Sequence, residues 1–492
     1  MTSAAPERVD PAAAARRARR FAANVLWMLV SSGAGKVAGF VFVAIVARAL
    51  GATDYGYFNF ALSFVPLFLM FGSWGIGIMV TSEVARDHER LSEVFASGFV
   101  LRIGLAFVGL LLALSAAPLF VHGWTSFLTV AIVGLSLFLD EISGYLANVF
   151  KAFEQMRYMS LVTLTNRVGS TILAVIAVVL GRGLIAVAVT YFLGSLGALL
   201  FAATTLRRRF PPIRLADRRT PVMRQLLGRG ILLGAASILN MALFRIDTVM
   251  LQAFRGATAV GMYGVAYRFI DSFLFVAWGV TNAALPRLAR AANAVERTRA
   301  LEVTAAISLA FYVPLAVIAL FCSRWLVVTL FSDRYAMAVP AVPWLTSAAL
   351  FYALAYVARV SAIVTGQRKA IAAIAAFGLV FNVALNLVVI PRYGFLGAAV
   401  TTFVSEVLDA LLLLGLVLSV NGRLLAGRII SVPLGAGAAA AITLAASGLR
   451  GGSGIAIGLA VYVLALVYLG RLLAPVEARR AAGLLRRDAP AG

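Results

Sequence analysis

Apolar residues in this chain neither alternate with polar ones, as on a half-buried strand, nor recur every three or four positions, as on a soluble amphipathic helix; they run on. Near-continuous apolar stretches follow one another from Phe21 to Leu473, many close to the ~20 residues that carry a helix across a hydrocarbon core. Lipid offers the backbone no hydrogen-bond partner, so a spanning segment must be a helix or part of a closed barrel. Barrel strands alternate apolar and polar residues, and these runs do not. Helices are therefore predicted over roughly 21–46, 55–80, 94–117, 124–150, 158–180, 184–206, 230–252, 262–286, 301–321, 341–365, 370–390, 395–420, 429–448 and 453–470. The expected fold class is an all-α integral membrane protein of about fourteen transmembrane helices.

Composition strengthens that reading: 62% of the 492 residues are hydrophobic and 13% are charged, where a soluble domain carries about a quarter charged residues. A net charge of +23 raises the possibility of a nucleic-acid partner, but its distribution argues for topology instead. With the intervening segments assigned alternately to two sides, thirty of the 43 Lys and Arg fall on the side of the N-terminus, seven on the other and six inside spans. Such asymmetry is the positive-inside pattern. It predicts an inner (cytoplasmic) membrane protein with both termini cytosolic, its basic loops drawn to anionic membrane lipid, and no nucleic-acid partner. The basic stretch ending Arg16-Arg17-Ala18-Arg19-Arg20 reads as a cytosolic anchor rather than a cleaved signal, because the apolar run after it is long and thirteen more follow. The single cysteine, Cys322, excludes an internal disulfide.

The longest basic loop, 207–229, divides the chain. Pro211 and Pro212 should stop the helix before it, and Pro221–Arg229 is expected to form a short basic helix on the membrane surface. The flanking regions echo each other. Gly51, Ala52, Thr53, Gly56 and Ala61 recur 205 residues later as Gly256, Ala257, Thr258, Gly261 and Ala266. Arg182-Gly183 and Ala188-Val189-Thr190 are echoed by Arg392, Gly394 and Ala399-Val400-Thr401. Six spans, an even number, separate equivalent helices, which implies two six-helix lobes related by a parallel internal repeat around a central cavity, plus two extra helices. The expected organisation is a basic tail (1–20), an N-lobe (21–206), a basic linker (207–229), a C-lobe (230–420), helices 13 and 14 (421–470) and a cytosolic tail (471–492). Two similar bundles of this kind suit a transporter that opens first to one side and then to the other.

Enzyme chemistry finds no foothold. The two histidines, His88 and His122, lie in or beside loops on opposite faces, so neither a metal cluster nor a His-based triad can be assembled. Gly33-Ala-Gly-Lys36 lacks the spacing of a phosphate-binding loop and lies inside an apolar span. No cofactor is expected, and drive must come from an ion gradient, a substrate gradient or another subunit.

Twelve ionisable residues fall inside the predicted spans, each costing about 2.5–3.5 kcal/mol at a helix centre. The bases are Lys36, Arg102, Arg167, Arg245, Arg268 and Arg359, candidates for binding an anionic substrate. The acids are Asp140, Glu141, Asp247, Asp271, Glu406 and Asp409. Arg268 and Asp271, three apart, can neutralise each other; Arg245 and Arg359 lie toward span ends and can snorkel. Lys36 and Arg167 lie nearest span centres, and Arg in particular forks onto phosphate. Asn382 and Asn386 share a helical face. With Asp247 and a threonine hydroxyl of span 12 they offer oxygens to a hard cation such as sodium, or, alternatively, the asparagines bond helices together.

Ala47-Arg-Ala-Leu-Gly-Ala-Thr-Asp-Tyr-Gly-Tyr-Phe-Asn-Phe-Ala61 resembles the first-loop signature of bacterial polysaccharide-biosynthesis flippases, within the multidrug, oligosaccharidyl-lipid and polysaccharide exporter superfamily. Asp247-Thr-Val-Met-Leu251, leading to Gly261-Met-Tyr-Gly-Val-Ala266, is similar to the seventh-to-eighth helix region of the same family. The resemblance covers roughly 21–420. It implies flipping of an undecaprenyl-pyrophosphate-linked oligosaccharide to the outer leaflet by alternating access, with a polysaccharide polymerase or glycosyltransferases as partners. Related lipid II flippases carry a sodium site on helices 7, 11 and 12, for which Asp247, Asn382, Asn386 and Thr402 are counterparts here, Asn386 standing where a carboxylate is expected. A multidrug exporter of organic cations, a lipid II flippase proper and a non-transporting scaffold for glycosyltransferases are the alternatives.

Overall fold

The computed structural model describes residues 11–72, 74–422 and 427–475; of the expected basic tails, 1–10 and 476–492 lie outside the described residues. Every regular element among the described residues is helical. Eleven helical stretches are long and apolar enough to cross a membrane. Three of them are two spans run together: the continuous helices Pro11–Leu69, Thr220–Asp271 and Arg368–Asn421 break at Gly51, Gly256 and Gly394. Separated there, the described residues form fourteen helices, as the apolar pattern predicts. They are α1 (11–50), α2 (52–69, continuing as Ile76–Arg86), α3 (Leu91–Ala116), α4 (Trp124–Ala152), α5 (Met156–Val179), α6 (Leu184–Arg209) and α7 (220–255). There follow α8 (257–271, continuing as Leu274–Arg290), α9 (Ala294–Phe331), α10 (Ala341–Val364), α11 (368–393), α12 (395–421), α13 (Arg428–Ser447) and α14 (Gly451–Leu473). This is a multi-pass membrane protein.

The breaks have a local cause. Gly51 (φ 78°, ψ 177°) and Gly256 (φ 76°, ψ −178°) take the same backbone conformation, one that costs a residue with a Cβ about 1–3 kcal/mol. A single residue of this kind reverses the chain without a loop, so the helix-to-helix turn needs no polar segment. At the basic linker, α6 ends at Arg209, just before Pro211 and Pro212. The short surface helix expected over Pro221–Arg229 is not separate. The chain is helical without interruption from Thr220, because nothing between Pro221 and the span breaks the hydrogen-bond ladder: proline at the second helical position costs no intrahelical bond.

The chain divides into two compact units, Met1–Val46 with Phe64–Met241, and Ala47–Ser63 with Ala242–Gly492. In the first, Ile76, Val80, Phe95, Tyr145, Phe150 and Phe210 are among the buried side chains of one core. Gly230 and Gly234 let α7 start against the backbone of Trp74, and Arg229 pairs with Glu83 at 2.9 Å. In the second, Leu288, Leu301, Val357 and Leu413 form one cluster. Leu309 and Val313 of α9 form another with Ala436, Ala440 and Tyr462, seating α13 and α14 on α9.

Within the second unit the two copies of the Gly-Ala-Thr-x-x-Gly motif meet. A Cβ on Gly56 would fall 1.8 Å from the carbonyl oxygen of Ala257, and one on Gly261 would fall 1.9 Å from that of Ala52. Between them the hydroxyls of Thr53 and Thr258 are 2.8 Å apart. The start of α2 and the start of α8 are therefore in backbone contact, as small residues allow in a bilayer, and each copy supplies the space that the other needs.

Candidate functional site

The ionisable residues inside the spans gather into one group in each unit. In the first unit, Arg102 of α3 donates from Nη2 (2.7 Å) and Nε (3.2 Å) to Oε2 of Glu141 on α4. The guanidinium also lies 5.8 Å from the ring centroid of Tyr145, whose hydroxyl is fixed on the carbonyl of Phe95 at 2.8 Å. Gly77 leaves the room for this: a Cβ there would fall 2.7 Å from Arg102 Nη1. Glu141 and Asp140, adjacent in sequence, diverge by about 100° on the helix. Asp140 takes different partners, accepting from Asn166 Nδ2 of α5 at 2.6 Å, and the same nitrogen reaches Ser195 Oγ of α6 at 3.2 Å.

Lys36 and Arg167 are brought to neighbouring helices. The stem of Arg167 lies 3.8 Å from the position of a Cβ on Gly35, so α1 and α5 approach closely where each carries its cation. Arg167 is exposed and Lys36 half-buried, and Arg167 acts electrostatically on Asp140. The group also contains a base that the span boundaries hid: Lys151, in the last turn of α4, is half-buried. It reaches Asn148 Oδ1 at 3.4 Å and lies within electrostatic reach of Arg102. Among the described residues, four cations and two carboxylates thus lie on these helices of the first unit.

The second unit leans the other way. Asp247 is 3% exposed. One of its oxygens accepts from the amide of Thr248 at 2.7 Å; the other accepts from the hydroxyl of Tyr263 on α8 and lies 3.5 Å from Thr402 Oγ1 on α12. Tyr263 and Thr402 are themselves 3.1 Å apart. Of the four residues set out as an ion-coupling group, Asp247 and Thr402 are thus together. Asn382 and Asn386 form a second chain: Asn386 Nδ2 donates to Asn382 Oδ1, and Asn382 Nδ2 donates to Ser405 Oγ, each at 3.0 Å. No hydrogen bond joins the two chains among the described residues. The Asn386 Oδ1 and Thr401 Oγ1 atoms are buried without a hydrogen-bond partner. Tyr263 and Ser405 were not expected, since each acts from a helix other than that of its partner, where spacing along the sequence gives no signal.

The remaining charges sort by pairing. Arg268 and Asp271 bridge at 3.0 Å on α8, as their spacing implies. Arg359 does not snorkel: its Nη2 lies 2.6 Å from Asp409 Oδ2 on α12. Arg245 carries no hydrogen bond or ion pair among the described residues, though it acts on Asp247 at longer range. The Glu406 carboxylate, half-buried, also has no hydrogen bond or ion pair among the described residues. Among the described residues no group of His, Cys, Asp and Glu is assembled as a metal site.

Residues 21–292 match the family described as polysaccharide biosynthesis protein, more than half of the chain. The chain belongs to that family. Residues 233–388 also match the MatE family, which places this polysaccharide biosynthesis family member in the multidrug, oligosaccharidyl-lipid and polysaccharide exporter superfamily. Its relatives include "Uncharacterized membrane protein MJ1068" of Methanocaldococcus jannaschii, 22% identical over 77% of this chain and 80% of that protein. Among solved structures it is similar to a lipid II flippase MurJ in an inward closed conformation, with a TM-score of 0.71 at 13% identity over 91% of this chain and 99% of that one. It is also similar to an inward-facing multidrug resistance MATE family transporter, with a TM-score of 0.66 at 15% identity over 79% of this chain and 94% of that one. At such identities the likeness is one of fold.

Proposed function

We propose that the protein flips a polyprenyl-pyrophosphate-linked oligosaccharide across the inner (cytoplasmic) membrane by alternating access, in the service of cell-surface polysaccharide synthesis. The carrying observation is the surplus of cations in the transmembrane part of the first unit, where Lys36 and Arg167 stand on neighbouring helices. A surplus of positive charge inside a membrane-spanning region is expensive, and an anionic ligand offsets the cost. A pyrophosphate fits because Arg offers a planar fork and Lys a point charge. The lipid-linked glycan keeps its tail in the bilayer while its headgroup occupies the polar site. Family membership supports the same substrate class, and an exporter of organic cations would find the charge in the first unit repulsive. Coupling is to a cation, through Asp247 with Thr402 and the nearby Asn382 and Asn386. A cation that binds one conformation better shifts the equilibrium toward it. Both termini are cytosolic in this reading, and polymerase or glycosyltransferases are its natural partners.

The test is flipping of a short-chain polyprenyl pyrophosphate carrying a fluorescent sugar in reconstituted vesicles. Lys36→Ala/Arg167→Ala should abolish it without loss of protein from the membrane, Arg167→Lys should restore it in part, and exposed Arg219→Ala should have no effect. Wild-type flipping by the double variant would remove the reading.

A further inference from the structure

The groups around Glu406 do not balance. Thr402, Glu406 and Asp409 lie at i, i+4 and i+7 of α12 and so share one face. Arg359 of α10 is held on Asp409 at 2.6 Å, with both side chains largely buried, at 20% and 14% exposure. Glu406 lies one turn away, within electrostatic reach of both. The other ionisable groups that act on it are phenols. Tyr352 of α10 has its hydroxyl accepting from Trp278 Nε1 at 2.6 Å. Tyr267 of α8 also feels Asp247, Asp271 and Arg245. Asp271 is already paired with Arg268. One guanidinium therefore faces two carboxylates inside a membrane-spanning region, and the one hydrogen-bonded position on it is taken by Asp409.

Two adjacent carboxylates with a single cation cannot both stay ionised in a medium of low dielectric. We propose that Glu406 is a proton-binding site of the transport cycle, separate from the Asp247 group, and that Arg359 is the switch that decides which of Asp409 and Glu406 is ionised. With Arg359 on Asp409, as here, Glu406 holds the proton. When helix movement brings Arg359 onto Glu406, the Oε–H bond of Glu406 breaks and its proton leaves to water, while an O–H bond forms on Asp409 with a proton taken from water. Uptake and release form and break one O–H bond and need no other reactant. The inference rests on the transport reading for its role in the cycle, but the proton site itself does not.

Two measurements separate these. Infrared spectra of the purified full-length protein in lipid nanodiscs at neutral pH report protonated carboxyls directly. Relative to wild type, Glu406→Gln should lose the signal of one protonated carboxyl. Asp409→Asn should also lose one, because Arg359 then has Glu406 as its only acid. Arg359→Ala should gain one. Spectra of Glu406→Gln and Asp409→Asn that match wild type would overturn the site. In vesicles, the fluorescent polyprenyl pyrophosphate should be driven by an imposed pH gradient in wild type and in Glu406→Asp, which keeps a titratable group. It should cross without regard to the gradient in Glu406→Gln. Equal gradient response in Glu406→Gln and wild type overturns the transport role. Wild-type protein that shows the carboxyl signal yet flips nothing leaves the proton site standing and removes the substrate reading instead.

Discussion

A methyl group added at Gly56 tests the contact between the two motif copies. The Cβ of Gly56→Ala would sit 1.8 Å from the carbonyl oxygen of Ala257, 2.6 Å from its carbon and 3.1 Å from the amide nitrogen of Gly261. All three are backbone atoms, so no side chain can swing aside, and α2 and α8 must part by more than an ångström to restore van der Waals contact. Overpacking of this sort costs about 1–3 kcal/mol. Parting the helices also stretches the 2.8 Å contact of Thr53 with Thr258, worth about 1 kcal/mol. Against this, alanine is the better helix former by about 1 kcal/mol. The balance is a destabilisation on the order of 1–3 kcal/mol. Gly261→Ala should behave alike, since its Cβ meets Ala52 at 1.9 Å. The double variant should cost clearly less than twice the single, because the first methyl has already opened the gap that the second occupies. Thermal unfolding of the purified protein in one detergent, followed for wild type, both singles and the double, reads all of this. Singles as stable as wild type, or a strictly additive double, would refute the backbone contact as described.

Cysteine labelling from each side of the membrane should place the 210–219 loop and the Arg324–Arg334 segment on opposite faces, and labelling of both from one side would overturn the span count. Arg359→Ala should lower stability by about 3 kcal/mol, as for a buried pair broken on one side; adding Asp409→Asn should recover much of that in the same unfolding assay. Tyr263→Phe should alter the response of flipping to an imposed sodium gradient, because Asp247 loses the hydroxyl that now occupies one of its oxygens. Asp247→Asn should abolish the response, and a wild-type response in Asp247→Asn would place the coupling elsewhere.

The helices were readable because a bilayer forces long apolar runs on any span, whatever the packing. Arg268 with Asp271 was readable for a similar reason, three residues on one helix being neighbours by geometry. Arg359 with Asp409 was not, since the two lie fifty residues apart on α10 and α12 and only tertiary packing brings them together. Asp247 and Thr402 were paired through resemblance, while Tyr263, inside a quoted motif and sixteen residues from Asp247, reaches it only because the chain reverses at Gly256. The same glycine shows the limit in another way. Its recurrence was plain in the sequence, but a repeat does not say that its copies touch. The surface helix expected over Pro221–Arg229 failed because basic composition describes what a segment is attracted to and not where its hydrogen-bond ladder ends.

The meeting of the two motif copies also constrains how this sequence can change over time. Gly56 faces the backbone at position 257 and Gly261 faces the backbone at position 52, so neither glycine's replacement can be absorbed by altering the side chain opposite. An ordinary core position drifts because its neighbours can shrink or grow in compensation; here the neighbour is main chain, which has nothing to give. Glycine is held at both positions by the main chain of the other copy, and a replacement at either cannot be offset by a change of side chain opposite.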